Sequence, residues 1–150
     1  MFCKRFLPCV LSVLFFWDAA QAEQPAVYPG YIEKVIDADT FRVSVLVWPT
    51  IIVQVNVRVA KIDAPELIRP KCAYEKELAE KAKNLVQALL SESKGKVLLY
   101  AVSTADKYGR ISAIIITRAG ADIGAELLKA GLAKSYTGGK RQSWCDEQKN

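Results

Sequence analysis

FRVSVLVW at residues 41–48, joined through Pro49-Thr50 to IIVQVNVRV at residues 51–59, is the stretch whose reading decides the fold. Phe41, Val43, Val45 and Val47 recur at every second residue, and so do Ile51, Val53, Val55, Val57 and Val59. A period of two places each set on one face of an extended chain, so the two runs predict a pair of half-buried strands. Gln54, Asn56 and Arg58 then lie on the opposite face of the second strand.

Outward from that pair, residues 31–37 add a preceding strand. From Cys72 to about Leu90 the period lengthens, with Leu78, Ala82, Leu85 and Leu89 recurring at four, three and four residues. That is one stripe of an amphipathic helix, with Lys76, Glu80, Lys83 and Gln87 away from it. Such a stripe faces a core rather than a cofactor. Residues 96–102 and 111–117 are β-rich, and a polar turn from Thr104 to Arg110 separates them. Asp122 suits the N-cap of a short helix through Ala130, which Gly131 is placed to end. Three strands, a helix, two strands and a helix predict an α+β fold: a five-stranded Greek-key barrel of the OB type with helices packed on it.

Residues 1–22 stand apart from this pattern. Lys4 and Arg5 make a short basic start, Leu7 to Trp17 is apolar, and Ala20-Gln21-Ala22 offers small residues for a signal peptidase. An apolar run of that length falls short of the about 20 residues that a membrane-spanning helix needs. The expectation is a signal peptide at 1–22, an exported single domain at 23–150, and no stable membrane insertion after cleavage. Loss of Lys4, Arg5 and Asp18 would lower the net charge from +5 to +4, a mild bias toward an anionic partner. Cys3 and Cys9 would leave with the leader. Cys72 and Cys145 would then be the remaining pair in an oxidising compartment, and the expected pairing is a disulfide.

Of the 150 residues, 51% are hydrophobic and 25% charged, a globular composition that contains no histidine. That excludes Ser-His-Asp and Cys-His catalysis, His-ligated zinc and a histidine general base. Acid–base chemistry must come from carboxylates, lysine, tyrosine, cysteine or metal-bound water.

Three polar clusters remain. Asp37-Ala38-Asp39-Thr40-Phe41 stands where two strands meet, and Arg58 to Glu66 carries an arginine followed by Asp63-Ala64-Pro65-Glu66. Asp106-Lys107-Tyr108-Gly109-Arg110 opens the last strand. Singly, each reads as ordinary turn or loop chemistry. Together, Asp39 and Asp63 offer oxygen ligands to a hard cation such as calcium, and Glu66 can orient or deprotonate water. Arg58 and Arg110 can clamp a phosphate. These are the parts of metal-assisted phosphodiester hydrolysis without histidine.

The same segments, with Val35-Ile36-Asp37-Ala38-Asp39-Thr40 first and Gly131-Leu132-Ala133 last, stand in the order of the staphylococcal nuclease homologues, which this sequence resembles over roughly residues 31–136. The resemblance implies a five-stranded OB-type barrel and a calcium-dependent nuclease acting on DNA or RNA to leave 3′-phosphate ends. It assigns the metal to Asp39, Asp63 and the main-chain carbonyl of Ala64, catalysis to Arg58, Glu66 and Arg110, and nucleotide contacts to Lys107, Tyr108 and Tyr136. Ala38 replaces a glycine usual in the family, and a positive φ there would strain the turn and shift Asp39. Trp144-Cys145 is expected to pin the tail against the start of the Cys72 helix. Nothing in the sequence calls for an oligomer. The rival reading is an OB-type module that holds single-stranded nucleic acid without cutting it. A third is an exported domain whose carboxylates bind calcium for stability.

Overall fold

The computed structural model describes residues 26–104, 106 and 108–146; the expected leader, and Lys107 among the expected nucleotide contacts, lie outside the described residues. In chain order the elements are β1 (Tyr28–Asp37), β2 (Thr40–Trp48), β3 (Ile51–Val59), β4 (Ile62–Asp63), α1 (Ala73–Glu92), β5 (Lys96–Tyr100), β6 (Arg110–Thr117), α2 (Ile123–Lys129) and β7 (Lys134–Ser135). Five of the strands close a barrel in the order β1-β2-β3-β6-β5, with β5 returning antiparallel to β1. The β3–β6 seam is parallel, which forces the chain to cross over through α1 and β5 between them. This is the five-stranded OB-type barrel that the periodicity predicts. The two-residue strands β4 and β7, which pair with each other beside the barrel, add to that expectation. Pairs so short carry no periodic signal.

Phe41, Val43, Val57, Leu99, Ala113 and Ile115 fill the interior and are inaccessible to solvent. They come from alternate positions of their strands, as a pleated chain requires. Val47, Ile51 and Val53 have the interior parity but are exposed, contrary to the expectation that each alternating set is half-buried throughout. The reason is length. β6 pairs with β3 only over Asn56–Val59, so the far end of the β2–β3 hairpin runs past the barrel wall.

Leu78 and Ala82 on α1 are buried as expected, but Leu85 and Leu89 are only half-buried, and Val86 and Leu90 take the core positions below them. The inward line therefore keeps a spacing of four from Leu78 to Leu90, one residue on from the expected stripe in its second half, and α1 packs on both α2 and β1. Asp122 caps α2 by accepting from the Ala125 amide at 3.1 Å, and Gly131 follows the helix at φ 68°. α1 is capped by Cys72, whose Sγ accepts from the Glu75 amide at 3.4 Å. Cys72 is also bonded to Cys145, Cα to Cα 6.0 Å, so the tail is fastened to the first turn of α1. Trp144 is buried beside that bond.

The Asp37–Thr40 pair closes the β1–β2 turn over Ala38 and Asp39. Ala38 is buried and is not among the positive-φ residues, so the strain expected from replacing glycine there does not arise. Among the described residues no helix is long and apolar enough to cross a membrane.

Candidate active site

Three segments meet at one rim of the barrel: the β1–β2 turn, the end of β3 with the loop after β4, and the tail before Cys145. β3 pairs with β2 so that Arg58 lies opposite Thr40, next to Asp39. The Val59 amide donates to the Asp39 carbonyl at 2.8 Å, which fixes the turn against the strand end. Asp39 does not project into solvent; it is 4% exposed, and its carboxylate points into the protein. Oδ1 accepts from the Thr40 hydroxyl at 2.9 Å and Oδ2 from the Ala64 amide at 3.1 Å. Asp63, equally buried, sits on β4, which the pairing with β7 holds in place.

A single guanidinium nitrogen joins the two carboxylates. Arg58 Nη2 lies 3.0 Å from Asp39 Oδ2 and 2.9 Å from Asp63 Oδ1, and it also donates to the Ile62 carbonyl at 3.3 Å. Tyr136 lies beside this arginine, 6.0 Å from ring centre to guanidinium carbon, and its amide donates to the Lys61 carbonyl. Arg58 and Tyr136 share a groove of about 440 Å3 with Ser112 and Gly138.

Glu66 follows Pro65 in the loop leading to α1. Its amide donates to Glu75 Oε1 at 3.3 Å, and the Lys71 amide donates to Glu75 Oε2 at 2.6 Å. Glu75, buried in the first turn of α1, therefore holds both ends of the loop that carries Glu66. Sequence reading missed this residue. Its signal was an acidic side chain three positions after the residue capping the helix, where carboxylates stabilise a helix start.

Arg141 is the second group that sequence reading missed. Its Nε lies 3.0 Å from Asp63 Oδ1, and its Nη1 donates to Glu66 Oε1. Arg110, by contrast, is engaged elsewhere. It forms a two-pronged pair with Asp106, Nε 3.0 Å and Nη2 2.8 Å from Oδ2, and lies 5.2 Å over the Tyr108 ring. β6 sets Ser112 opposite Arg58, so Arg110, two residues earlier, shares the outward face of the β3–β6 seam with Arg58. Among the described residues, the guanidiniums in contact with the carboxylate cluster are those of Arg58 and Arg141.

A cleft of about 430 Å3 opens beside the cluster, lined by Asp37, Asp63, Ala64, Glu66, Arg69 and Arg141 among others. Burial pushes the Asp37 carboxyl above its usual range, and the nearby Glu66 and Asp39 charges add to that against the Leu67 amide that donates to it. Asp63 is likewise raised, chiefly by burial, with Arg141 the largest opposing influence. In the exposed turn, the Arg110 hydrogen bonds hold Asp106 below its usual range.

The two buried carboxylates of Asp39 and Asp63 are oxygen donors, the chemistry of a hard divalent cation. Among the described residues no three acidic side chains converge as a ready-made metal cage. Asp39 and Asp63 are instead drawn together by Arg58, and a cation would take up Asp63 oxygen that arginines now hold.

A closed five-stranded barrel carrying an arginine-bridged acidic pair at its rim defines a class, and comparison with known sequences supplies its name. The family model described as staphylococcal nuclease homologue matches residues 56–150, and the chain belongs to that family. It is also similar to Endonuclease YhcR of Bacillus subtilis (strain 168), with 32% identity over 124 residues. That match covers 76% of this chain and 10% of the relative, so the chain spans about a tenth of the relative's length.

Proposed function

We propose that this chain is an exported, calcium-dependent nuclease that hydrolyses the phosphodiester bonds of DNA or RNA and leaves 3′-phosphate ends. The observation that carries the reading is the meeting of Asp39, Asp63 and Arg58, with Glu66 joined to them through Arg141, at one rim of a staphylococcal-nuclease-type barrel. Membership in the family, and the likeness to a protein named an endonuclease, support it.

Asp39, Asp63 and the Ala64 carbonyl hold the cation in this proposal. When bound, the cation neutralises charge on a non-bridging phosphate oxygen. Glu66 lines the cleft, where it orients a water for in-line attack on phosphorus and accepts its proton, while the bond from phosphorus to the 5′-oxygen breaks and that oxygen leaves protonated by solvent. Arg58 faces the phosphate and binds it more strongly as charge builds on its oxygens, which lowers the barrier rather than merely tightening substrate binding. Arg110 joins it by exchanging Asp106 for phosphate. Each of these arginines has a tyrosine beside it, Tyr136 and Tyr108, so phosphate and base can be met by neighbouring groups. Lys107 adds a cation next to Tyr108 in the sequence. The protein acts as a monomer, delivered by the leader at residues 1–22.

One observation favours the rival, a module that binds single-stranded nucleic acid without cutting it: arginines already hold the Asp63 oxygen that a cation requires. Digestion of single-stranded DNA and RNA separates the two. With calcium the protein should cleave, and with chelator it should not. Glu66→Gln should lower the turnover rate by about 100-fold or more while substrate binding persists. Binding without cleavage in every metal tried would replace the nuclease reading with the binding module.

A further inference from the structure

We infer that Arg141 is a resident cation of the carboxylate cluster, presented there by the Cys72–Cys145 disulfide, and that it sets how tightly the cluster takes a divalent metal ion. The inference rests on the proposed metal site and extends it to a residue outside the motifs quoted for the family.

Asp37, Asp39, Asp63 and Glu66 lie near one another at the rim, and among the described residues the guanidiniums of Arg58 and Arg141 pair with three of them, Asp39, Asp63 and Glu66. Arg58 is embedded in the end of β3, with its side chain 13% exposed. Arg141 is more open, 35% exposed, and reaches the cluster from the tail. Both guanidiniums use the same acceptor, Asp63 Oδ1, at 2.9 and 3.0 Å. A divalent ion bound by Asp63 competes with them for that carboxylate, and Arg141 is the partner with somewhere to go.

The tail is built to keep Arg141 at hand. Cys145, four residues on, is bonded to Cys72, and Trp144, next to it in the chain, is buried and lines the cleft. The Lys134 ammonium donates to the Ser143 carbonyl at 2.8 Å. Four residues reach at most about 14 Å, so the disulfide confines Arg141 to the neighbourhood of the helix start. Glu66 is tied to that same helix start through Glu75. The two ends of the Arg141–Glu66 pair are thus fixed to one point of the fold, and the effective concentration of the guanidinium at the carboxylates is high.

Calorimetric titration of calcium into the oxidised protein tests this by the sign of an effect. A brace, when removed, loosens the carboxylates and weakens calcium binding; a competitor, when removed, strengthens it. Arg141→Ala should bind calcium about fivefold more tightly, the size expected for losing a partly exposed charge-assisted pair. Cys72→Ser with Cys145→Ser, checked by circular dichroism to be folded, should shift the affinity in the same direction, because Arg141 remains but is no longer held. Unchanged or weaker binding in Arg141→Ala, with calcium bound by the parent, overturns the inference and leaves the metal site standing. Tighter binding in Arg141→Ala without any shift in the cysteine variant overturns the role of the disulfide. No calcium bound by any of the three overturns the metal site and the inference with it.

Discussion

Replacing both Cys72 and Cys145 by serine removes one covalent bond and little else, because serine at 72 retains an acceptor for the Glu75 amide that Cys72 now caps. The bond closes a loop with a sequence separation of 73 residues. In the chain-entropy account, a loop of that length restrains the unfolded chain enough to contribute about 4 kcal/mol to stability. A domain of this size has a total stability of about 5–15 kcal/mol, so the loss is large but need not unfold the protein. Urea unfolding followed by far-ultraviolet circular dichroism is the assay. With a urea slope of about 2 kcal/mol/M, the midpoint should fall by about 2 M. The slope itself should rise, since the unfolded chain without the bond exposes more surface. A midpoint lowered by less than about 0.5 M at an unchanged slope would refute the reasoning: the bond would then not be restraining the unfolded chain.

Asp37→Asn should stabilise the chelator-treated protein increasingly as pH rises above about 4. The folded-state value of Asp37 is raised, so the wild-type carboxyl contributes most when protonated, below its unfolded value of 3.8, and that contribution is lost as pH climbs through the raised value. Melting temperatures from pH 4 to 7 should therefore diverge in the variant's favour, and parallel curves would count against the raised value. Ala38→Gly should cost about 1–2 kcal/mol by chemical denaturation, from lost burial of a methyl group and greater freedom of the unfolded chain at a position without positive φ; a stabilised variant would mean that the turn is strained after all. Phe41→Ala should cost about 3–5 kcal/mol, since the ring is wholly enclosed in the barrel, and a loss under 1 kcal/mol would place the core elsewhere.

The barrel was legible because its strands announce themselves by a local rule. Phe41, Val43, Val45, Val57 and Val59 alternate, and the same alternation buries them. Where that rule stops applying, so did the reading: Val47, Ile51 and Val53 keep the interior parity on strands that outrun their partners, and β4 and β7 are too short to show a period. The rim was legible in part, because Asp39 and Glu66 stand in turns and loops beside well-marked strands, Arg58 ends one of those strands, and the β2–β3 register puts Arg58 beside Asp39.

The sequence by itself determined the periodicities, the caps at Asp122 and Gly131, the absence of histidine, and which carboxylates and arginines were available. Tertiary structure alone decided which of them touch. Arg141 meets Glu66 across a sequence separation of 75 residues, and no local pattern encodes such an approach. It follows from a barrel that fixes the start of α1 beside the β3 rim, and from a disulfide that brings the tail there. Arg110 carries an equal charge and shares a strand face with Arg58, yet Asp106, four residues away in the same turn, claims it first. Charge and residue type follow from the chain, whereas the choice among possible partners follows from distances that only the closed barrel fixes.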